Sequence, residues 1–580
     1  MVRTVALLAC LLAFCSVGVA GAHAKVAGSS SALTKTSSTR TATNPEAPVP
    51  VEASDTPPIG RQLSSNRVLQ IADALPKMRA LRARYRGSYG GAYLKGPGRW
   101  QVSWFSKKGQ EIGQVVIADR NGKVLEQWTG FQIAWSMARG YPGAFGRHVN
   151  ALYIWIPLCV LFFVPFLDWR KPLRLLHLDL LVLLSFSVSL AYFNHGRIYT
   201  STPLVYPPLV YLLVRMLALA RVGARRAELG EPRRMRLLVP TPVLAIGVVF
   251  LIGFRVGLNV TDSNVIDVGY AGVIGAQRIV HDKALYGGYP SDNEHGDTYG
   301  PVNYEAYVPF QQVFGWSGHW DDLPAAHAAA IVFDLLAVAL LFLLGRRVRG
   351  PALGIALAYA WVAFPFTLFA LESNSNDSLV AVFVLAALLV ASSAPARGVF
   401  AALAGLTKFA PLALAPLLCT EGFAKMTPAR RVWSGALFAC AFLLTAAIVM
   451  APALTHDSLH TIFKRTFSYQ ANRESPFSVW GLYGGSTALK DGRIVVEGAA
   501  VALAVAVAFL PRRFDLIGLS ATAAAVLVAV QLGIDHWFYL YIPWFFGLVM
   551  LALLGQFSWF PGEAPDAPSE SARSSPLAAV

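Results

Sequence analysis

Residues 261–290, TDSNVIDVGYAGVIGAQRIVHDKALYGGYP, and 296–310, GDTYGPVNYEAYVPF, are the heart of a polar loop (257–323) between two long apolar stretches. Runs of about 20 apolar residues are long enough to cross hydrocarbon as helices, so a loop framed by two of them marks a polytopic membrane protein. Asp262 and Asp267 stand where the first run ends. A carboxylate at a lipid–water boundary is what an enzyme needs when one substrate is a lipid and the other is polar.

Composition supports the same class. The chain has 580 residues, 55% of them hydrophobic and 14% charged, so most of it cannot be solvated surface. Its net charge of +16 sits largely in short loops between apolar runs, where Lys and Arg report cytoplasmic orientation rather than a nucleic-acid partner. The five cysteines, at 10, 15, 159, 419 and 440, all lie in apolar segments, which excludes a disulfide framework or a zinc motif.

Residues 1–24 have a charged start, an apolar core and an Ala-His-Ala end, the layout of a secretory signal peptide. Residues 25–62 are rich in Ser, Thr and Pro and read as a disordered linker. From 63 to 145 the pattern changes. Ser64 to Tyr85 has helical apolar spacing, and Trp100–Phe105, Glu111–Ala118 and Lys123–Trp128 alternate as strands around an Asp119–Gly122 turn. The stretches GRWQVSWF (98–105) and VVIADRNGKVLEQWTG (115–130) resemble the PepSY domain. The resemblance implies a small α+β binding or regulatory module without catalytic residues.

With a secreted N-terminus, three spans fall at about 150–167, 177–194 and 201–220, within a first membrane segment, 146–236. Its last loop, 221–236, carries six arginines and is cytoplasmic by the positive-inside rule. The second segment, 237–556, opens with a span at 239–257, which puts the loop 257–323 outside. Further spans read at 324–344, 351–371, 378–394, 432–453, 494–510, 514–533 and 538–554, with a second outer loop at 454–493 and a disordered cytoplasmic tail at 557–580. Between 398 and 419 two short apolar pieces flank Thr407-Lys408, and basic residues stand on both sides. A broken helical hairpin hinged at Lys408 satisfies that pattern. The expected fold is an all-α polytopic membrane protein with eleven full spans, one broken hairpin and a small extracytoplasmic α+β domain.

Polar residues gather on the outer side: Asp297 to Pro301, Glu372 to Asp377, Phe467 to Gln470, Arg473 to Trp480, and Asp535 to Tyr539. Aromatic belts account for Trp and Tyr at such places, but not for carboxylates, amides, His and Arg together. The order of these features is an Asp at a span end, DVGYAG, YGP, NSND opening a span, then GLTK between short helices. It resembles the GT-C glycosyltransferases, and within them glycosyltransferase family 87. The resemblance implies an inverting transfer of a hexose, mannose foremost, from a polyprenyl-phosphate sugar to an outer-face glycan, lipid or protein. It places the base on Asp267, with Asp262 in reserve. For Asp267, helix N-capping is the bland rival. Lys408, Arg473 and His536 are the candidate contacts to the donor phosphate, and snorkelling to an interface is the alternative for Lys408. Tyr270, Tyr299, Asn374, Asn376, Asp377, Trp480 and Asp535 are candidate substrate contacts, with helix capping again the rival for Asn376 and Asp377. Asp334, inside a span, is a functional suspect unless a hydroxyl or Arg partners it. The acidic run at 291–297 lacks the spacing of a fixed metal site, so no cofactor is expected and a divalent cation stays open. Two rival functions are a transporter or flippase, and a membrane scaffold or sensor. The Ala/Arg-rich composition and the leader point to a bacterial cytoplasmic membrane.

Overall fold

A computed structural model describes residues 48–140, 145–226, 233–235, 237–473, 475–484, 486–510 and 513–558. The signal peptide, the linker up to residue 47, part of the arginine-rich loop and the tail from 559 lie outside them. The chain divides into two compact units, one over 16–141 and one holding nearly all of the rest.

The first unit is a five-stranded antiparallel meander, β1 to β5, with two nine-residue helices before β2 and a short one, Phe131–Ala134, after β5. β1 (Val49–Val51) pairs with β2 (Tyr89–Leu94), so part of the stretch read as linker is a sheet edge. β3 (Arg99–Phe105), β4 (Glu111–Ala118) and β5 (Val124–Thr129) follow in order. The helix expected over 64–85 is two, Ser65–Asp73 and Pro76–Arg84. Pro76 is the cause: it denies a donor and holds Leu75 extended (φ −69°, ψ 130°). Trp100, Val102, Trp104, Val115 and Ile117 bury against Val68, Ala72 and Met78. Asp119, read as a turn residue, anchors this unit. Its carboxylate accepts from the Trp100 indole at 2.9 Å and from the backbone N–H groups of Gln62 and Leu63. Burial pushes its pKa up, but those donors outweigh it and hold the carboxyl below the ordinary value.

The second unit is helical. Among the described residues, six helices are long and apolar enough to cross a membrane: Leu175–Asn194, Ile198–Arg221, Thr241–Asp262, Pro324–Arg349, Pro428–Leu454 and Leu516–Gly533. A seventh candidate, Pro351–Ala363 with Pro365–Glu372, bends by 57° at Phe364-Pro365, where proline removes a helical donor. Three further apolar helices, Leu152–Phe166, Asp377–Leu389 and Tyr539–Leu554, are shorter than a bilayer requires. The count of eleven full spans is thus not confirmed: six helices, or seven with the bent pair, meet the length and apolarity of a crossing among the described residues. Asp377–Leu389 is buried along almost its whole length, whereas Pro428–Leu454 presents Val432, Leu443, Leu444 and Ile448 outward, as a lipid-facing helix does.

The chain breaks at Lys408, which ends the helix Ala394–Thr407 in an extended conformation (φ −139°, ψ 142°). It then returns through Ala410–Leu414 and Ala415–Cys419. The buried Arg397 clasps the returning arm by donating to the carbonyls of Leu418 (2.7 Å) and Glu421 (3.1 Å).

Asp334 has an arginine partner. Arg255, within the preceding span, meets its carboxylate through two nitrogens (2.6 and 3.1 Å), and the Trp361 indole adds a third donor at 2.8 Å. The functional suspicion is thereby corrected: this ion pair ties three helices together. Removing one partner strands a buried charge, so Asp334→Ala should cost about 3–5 kcal/mol. A lowered melting temperature in detergent micelles, largely restored in an Asp334→Leu/Arg255→Met double variant, is the expected result.

Candidate active site

Asp267 begins the helix Asp267–Val280. The turn before it is strapped to the 372–374 segment: Asn264 N–H donates to the Glu372 carbonyl and Ile266 N–H to that of Ser373, each at 3.2 Å. Gly269 makes the strap possible, because a Cβ there would lie 2.2 Å from the Asn374 carbonyl oxygen. Asp267 is not the N-cap. Ile266 holds that position and offers no side-chain oxygen, while Asp267 occupies the first turn, where negative charge suits the helix dipole. The Asp267 side chain is accessible, yet protein surrounds it closely. Desolvation raises its pKa, Asp377 adds to the rise, and Arg473, the Val268 N–H and Lys408 oppose it without cancelling it.

Beneath it lies a second charged pair. The Lys408 ammonium meets Asp377 Oδ1 at 2.6 Å, and the Trp544 indole donates to the same oxygen at 2.8 Å. Asp377 Oδ2 is buried with no partner. Three aromatic rings wall the ammonium: Tyr299, Tyr541 and Trp544 stand 5.5, 5.3 and 5.2 Å from it. Such rings stabilise a cation without neutralising it. Asn376 Nδ2 donates to the Asn303 amide oxygen, leaving Asn376 Oδ1 and Asn303 Nδ2 buried and unpartnered. The YGP and LTK segments meet main chain to main chain, for a Cβ on Gly300 would fall 1.9 Å from the Leu406 carbonyl oxygen.

Arg473 and His536 complete the cluster. The Arg473 charge bears on the ionisation of Asp267, Tyr299 and His536 alike. His536 Nδ1 contacts Ser475 Oγ at 2.9 Å. Burial, with Arg473 and Lys408 nearby, drives the His536 pKa well below its ordinary value. His536 is therefore a neutral imidazole at pH 7, a hydrogen-bonding group rather than the cation its position suggested.

The structure thus brings together Asp267, Asp377, Lys408, Arg473, His536 and Tyr299, with Asn376 alongside. Asp262 is elsewhere: it closes the helix Thr241–Asp262 and its carboxylate is held by His148, through both the ring and the backbone N–H. Asn374 works as a brace, with φ +49°; its amide donates to Ser263 Oγ and the Asn264 carbonyl and accepts from Asn259. Tyr270 is fully buried and stacks on Trp320 with ring centres 5.0 Å apart. Trp480 donates to the Leu532 carbonyl, and Asp535 accepts from Ser478 and lies 3.4 Å from Arg493, so both knit the second loop to the bundle. Tyr541, Trp544 and Asn303 were missed. The two aromatics sit in YLYIPWFF, which reads as an ordinary apolar run. Their one signal is indole and phenol groups, which need polar partners when buried.

If the Gly300 contact sets the distance from Tyr299 to Lys408, Gly300→Ala should destabilise by about 1–3 kcal/mol through overpacking. The readout is the melting temperature in detergent; an unchanged value would show that the two segments separate freely.

Residues 298–534 match the model of glycosyltransferase family 87. No curated protein matches the chain. The matched stretch holds Tyr299, Asn376, Asp377, Lys408 and Arg473, and begins after Asp267. The match supports a glycosyltransferase enzyme whose residues 298–534 are similar to family 87.

Proposed function

We propose that the protein transfers a hexose, with mannose the first candidate, from a polyprenyl-phosphate sugar to a glycan, lipid or protein acceptor, inverting the anomeric carbon. The observation that carries this reading is the placement of Asp267: accessible, at the start of the helix Asp267–Val280, and within the electrostatic reach of Arg473 and Lys408. In the proposed step, the acceptor oxygen forms a bond to the anomeric carbon while Asp267 takes the hydroxyl proton. The bond from that carbon to the phosphate oxygen breaks, and polyprenyl phosphate leaves with the electron pair. Arg473 and Lys408 meet its growing negative charge in a low-dielectric setting, where such contacts are strong. Asp377 and the aromatic walls hold Lys408 in place, and neutral His536 is available to hydrogen-bond the sugar or the phosphate.

Asp267 is preferred to Asp262 as base because Asp262 is committed to His148. The pairing of Asp334 with Arg255 and of Lys408 with Asp377 supports an enzyme over a transporter, since neither group is left to follow a cargo. By the positive-inside pattern, the site faces outward from a bacterial cytoplasmic membrane. On the same reading the N-terminal unit is a PepSY-like module following a signal peptide, exposed on that face.

Transfer of radiolabel from polyprenyl-phosphate mannose in membranes expressing the protein tests the reading. Asp267→Asn should lower kcat by about 10²–10⁴-fold, the usual worth of a general base. Asp262→Asn should keep kcat within a few-fold of wild type. Transfer that survives Asp267→Asn would reject the assignment. A base works only when ionised, so the raised pKa of Asp267 moves the acid limb of kcat/KM above the ordinary carboxylate range. Arg473 lowers that pKa; Arg473→Gln should therefore shift the limb to still higher pH, alongside its loss of rate.

A further inference from the structure

The N-terminal unit is strongly basic. Residues 48–140 hold 14 Lys and Arg against 6 Asp and Glu. They form a folded sheet module, not a short loop between spans, so these charges are not signals of membrane orientation. Six of the cations gather at one end of the sheet. Arg79, Arg82 and Arg84 lie on the helix Pro76–Arg84, Arg86 in the turn leading into β2, and Lys107 and Lys108 in the turn between β3 and β4. All six are exposed. The Lys107 side chain lies along the first of those turns, for a Cβ on Gly87 would fall 2.2 Å from its Cε. Helix end and hairpin tip are therefore one surface. Two carboxylates stand close by: Asp73, 2.9 Å from Arg82, and Glu111, at the start of β4. The helix dipole favours Arg82 and Arg84 in the last turn, but it gives no reason for Arg86, Lys107 and Lys108.

Aromatic rings accompany these charges. Tyr85 follows the helix and is 38% exposed, with the Arg84 guanidinium 5.7 Å from its ring centre. Tyr89 is 56% exposed and stacks on Phe105, the last residue of β3, with ring centres 5.5 Å apart. Between residues 76 and 111, Tyr85 and Tyr89 are the only large hydrophobic side chains that are exposed. A face that inserts into a bilayer needs Trp, Phe or Leu beside its basic residues, and this one has none exposed. A tyrosine ring instead suits the flat C–H face of a pyranose, because the ring face is electron-rich.

We infer that this end of the N-terminal unit is a docking surface for an acidic polysaccharide. Arg84, Arg86, Lys107 and Lys108 meet the anionic groups of the polymer, the arginines as planar forks. Tyr89, braced by Phe105, takes a sugar ring. A neutral glycan would leave the cations unmatched, and an acidic peptide would leave the ring unused. The polymer is held, not consumed. No residue of this surface enters the transfer reaction, and the inference does not depend on it.

The test uses the full-length protein in phosphatidylcholine nanodiscs, with polygalacturonate, dextran and poly-L-glutamate as probes. Polygalacturonate should bind, more weakly as salt rises, and dextran should not. Poly-L-glutamate of equal charge should bind several-fold more weakly, since it lacks the ring contact. Arg84→Gln/Arg86→Gln/Lys107→Gln/Lys108→Gln, all at exposed positions, should weaken polygalacturonate by about tenfold or more, as several modest charge contacts are lost together. Tyr89→Ala should weaken polygalacturonate several-fold and leave poly-L-glutamate unchanged, a difference that a merely structural role would not produce. Polygalacturonate binding unmoved by the quadruple variant would overturn the surface. Poly-L-glutamate or competing phosphatidylglycerol vesicles bound as tightly as polygalacturonate would overturn the saccharide assignment. Neither result touches the proposed transfer, which is measured separately.

Discussion

The ion pair between Lys408 and Asp377 is the constraint around which the site is arranged. Two opposite charges buried among helices persist only when geometry and hydrogen bonds offset the cost of leaving water. Here the carboxylate oxygen takes both the ammonium and an indole N–H, and three rings surround the ammonium. The pair joins the start of one helix to the break after another. Through Tyr299 and Gly300 it also fixes the first outer loop, and through Tyr541 and Trp544 the last apolar helix. Four distant parts of the chain share one charged centre.

Around that centre the electrostatics are graded. Asp377 is matched to Lys408, whereas Asp267 is close enough to Arg473 and Lys408 to feel both and is bound to neither. Burial, reinforced by the same two cations, holds the His536 pKa well below its ordinary value. A site so arranged holds an uncommitted carboxylate, an arginine and an uncharged imidazole within one field. Those are the parts that a proton transfer coupled to departure of an anion requires.

Much of this was legible in the sequence because charged groups at the ends of apolar runs are costly and therefore conspicuous. Asp267, Asp377, Lys408 and Arg473 all stood out on that ground. The distinction between Asp262 and Asp267 was not legible, since both stand near one span end and the group that occupies Asp262 is His148, over a hundred residues away. Tyr541 and Trp544 were hidden by the apolar run that contains them. The partner of Asp334 was within reach, for Arg255 lies inside the span read at 239–257 and a lone arginine there calls for an acid. Hydropathy alone does not fix the number of spans, because it reports removal from water, and a helix buried in protein, as Asp377–Leu389 is, is as apolar as one in lipid.

The contact of Gly300 with Leu406 has a further meaning for how such an enzyme diversifies. Because main chain touches main chain, no exchange of the leucine side chain alters the spacing. The same holds where Gly269 rests on the carbonyl of Asn374. The two contacts act like the fixed jaws of a caliper, setting the aperture between Asp267 and Lys408 by backbone alone. Side chains lining the gap can then change without moving the two segments, whose separation the backbone alone sets.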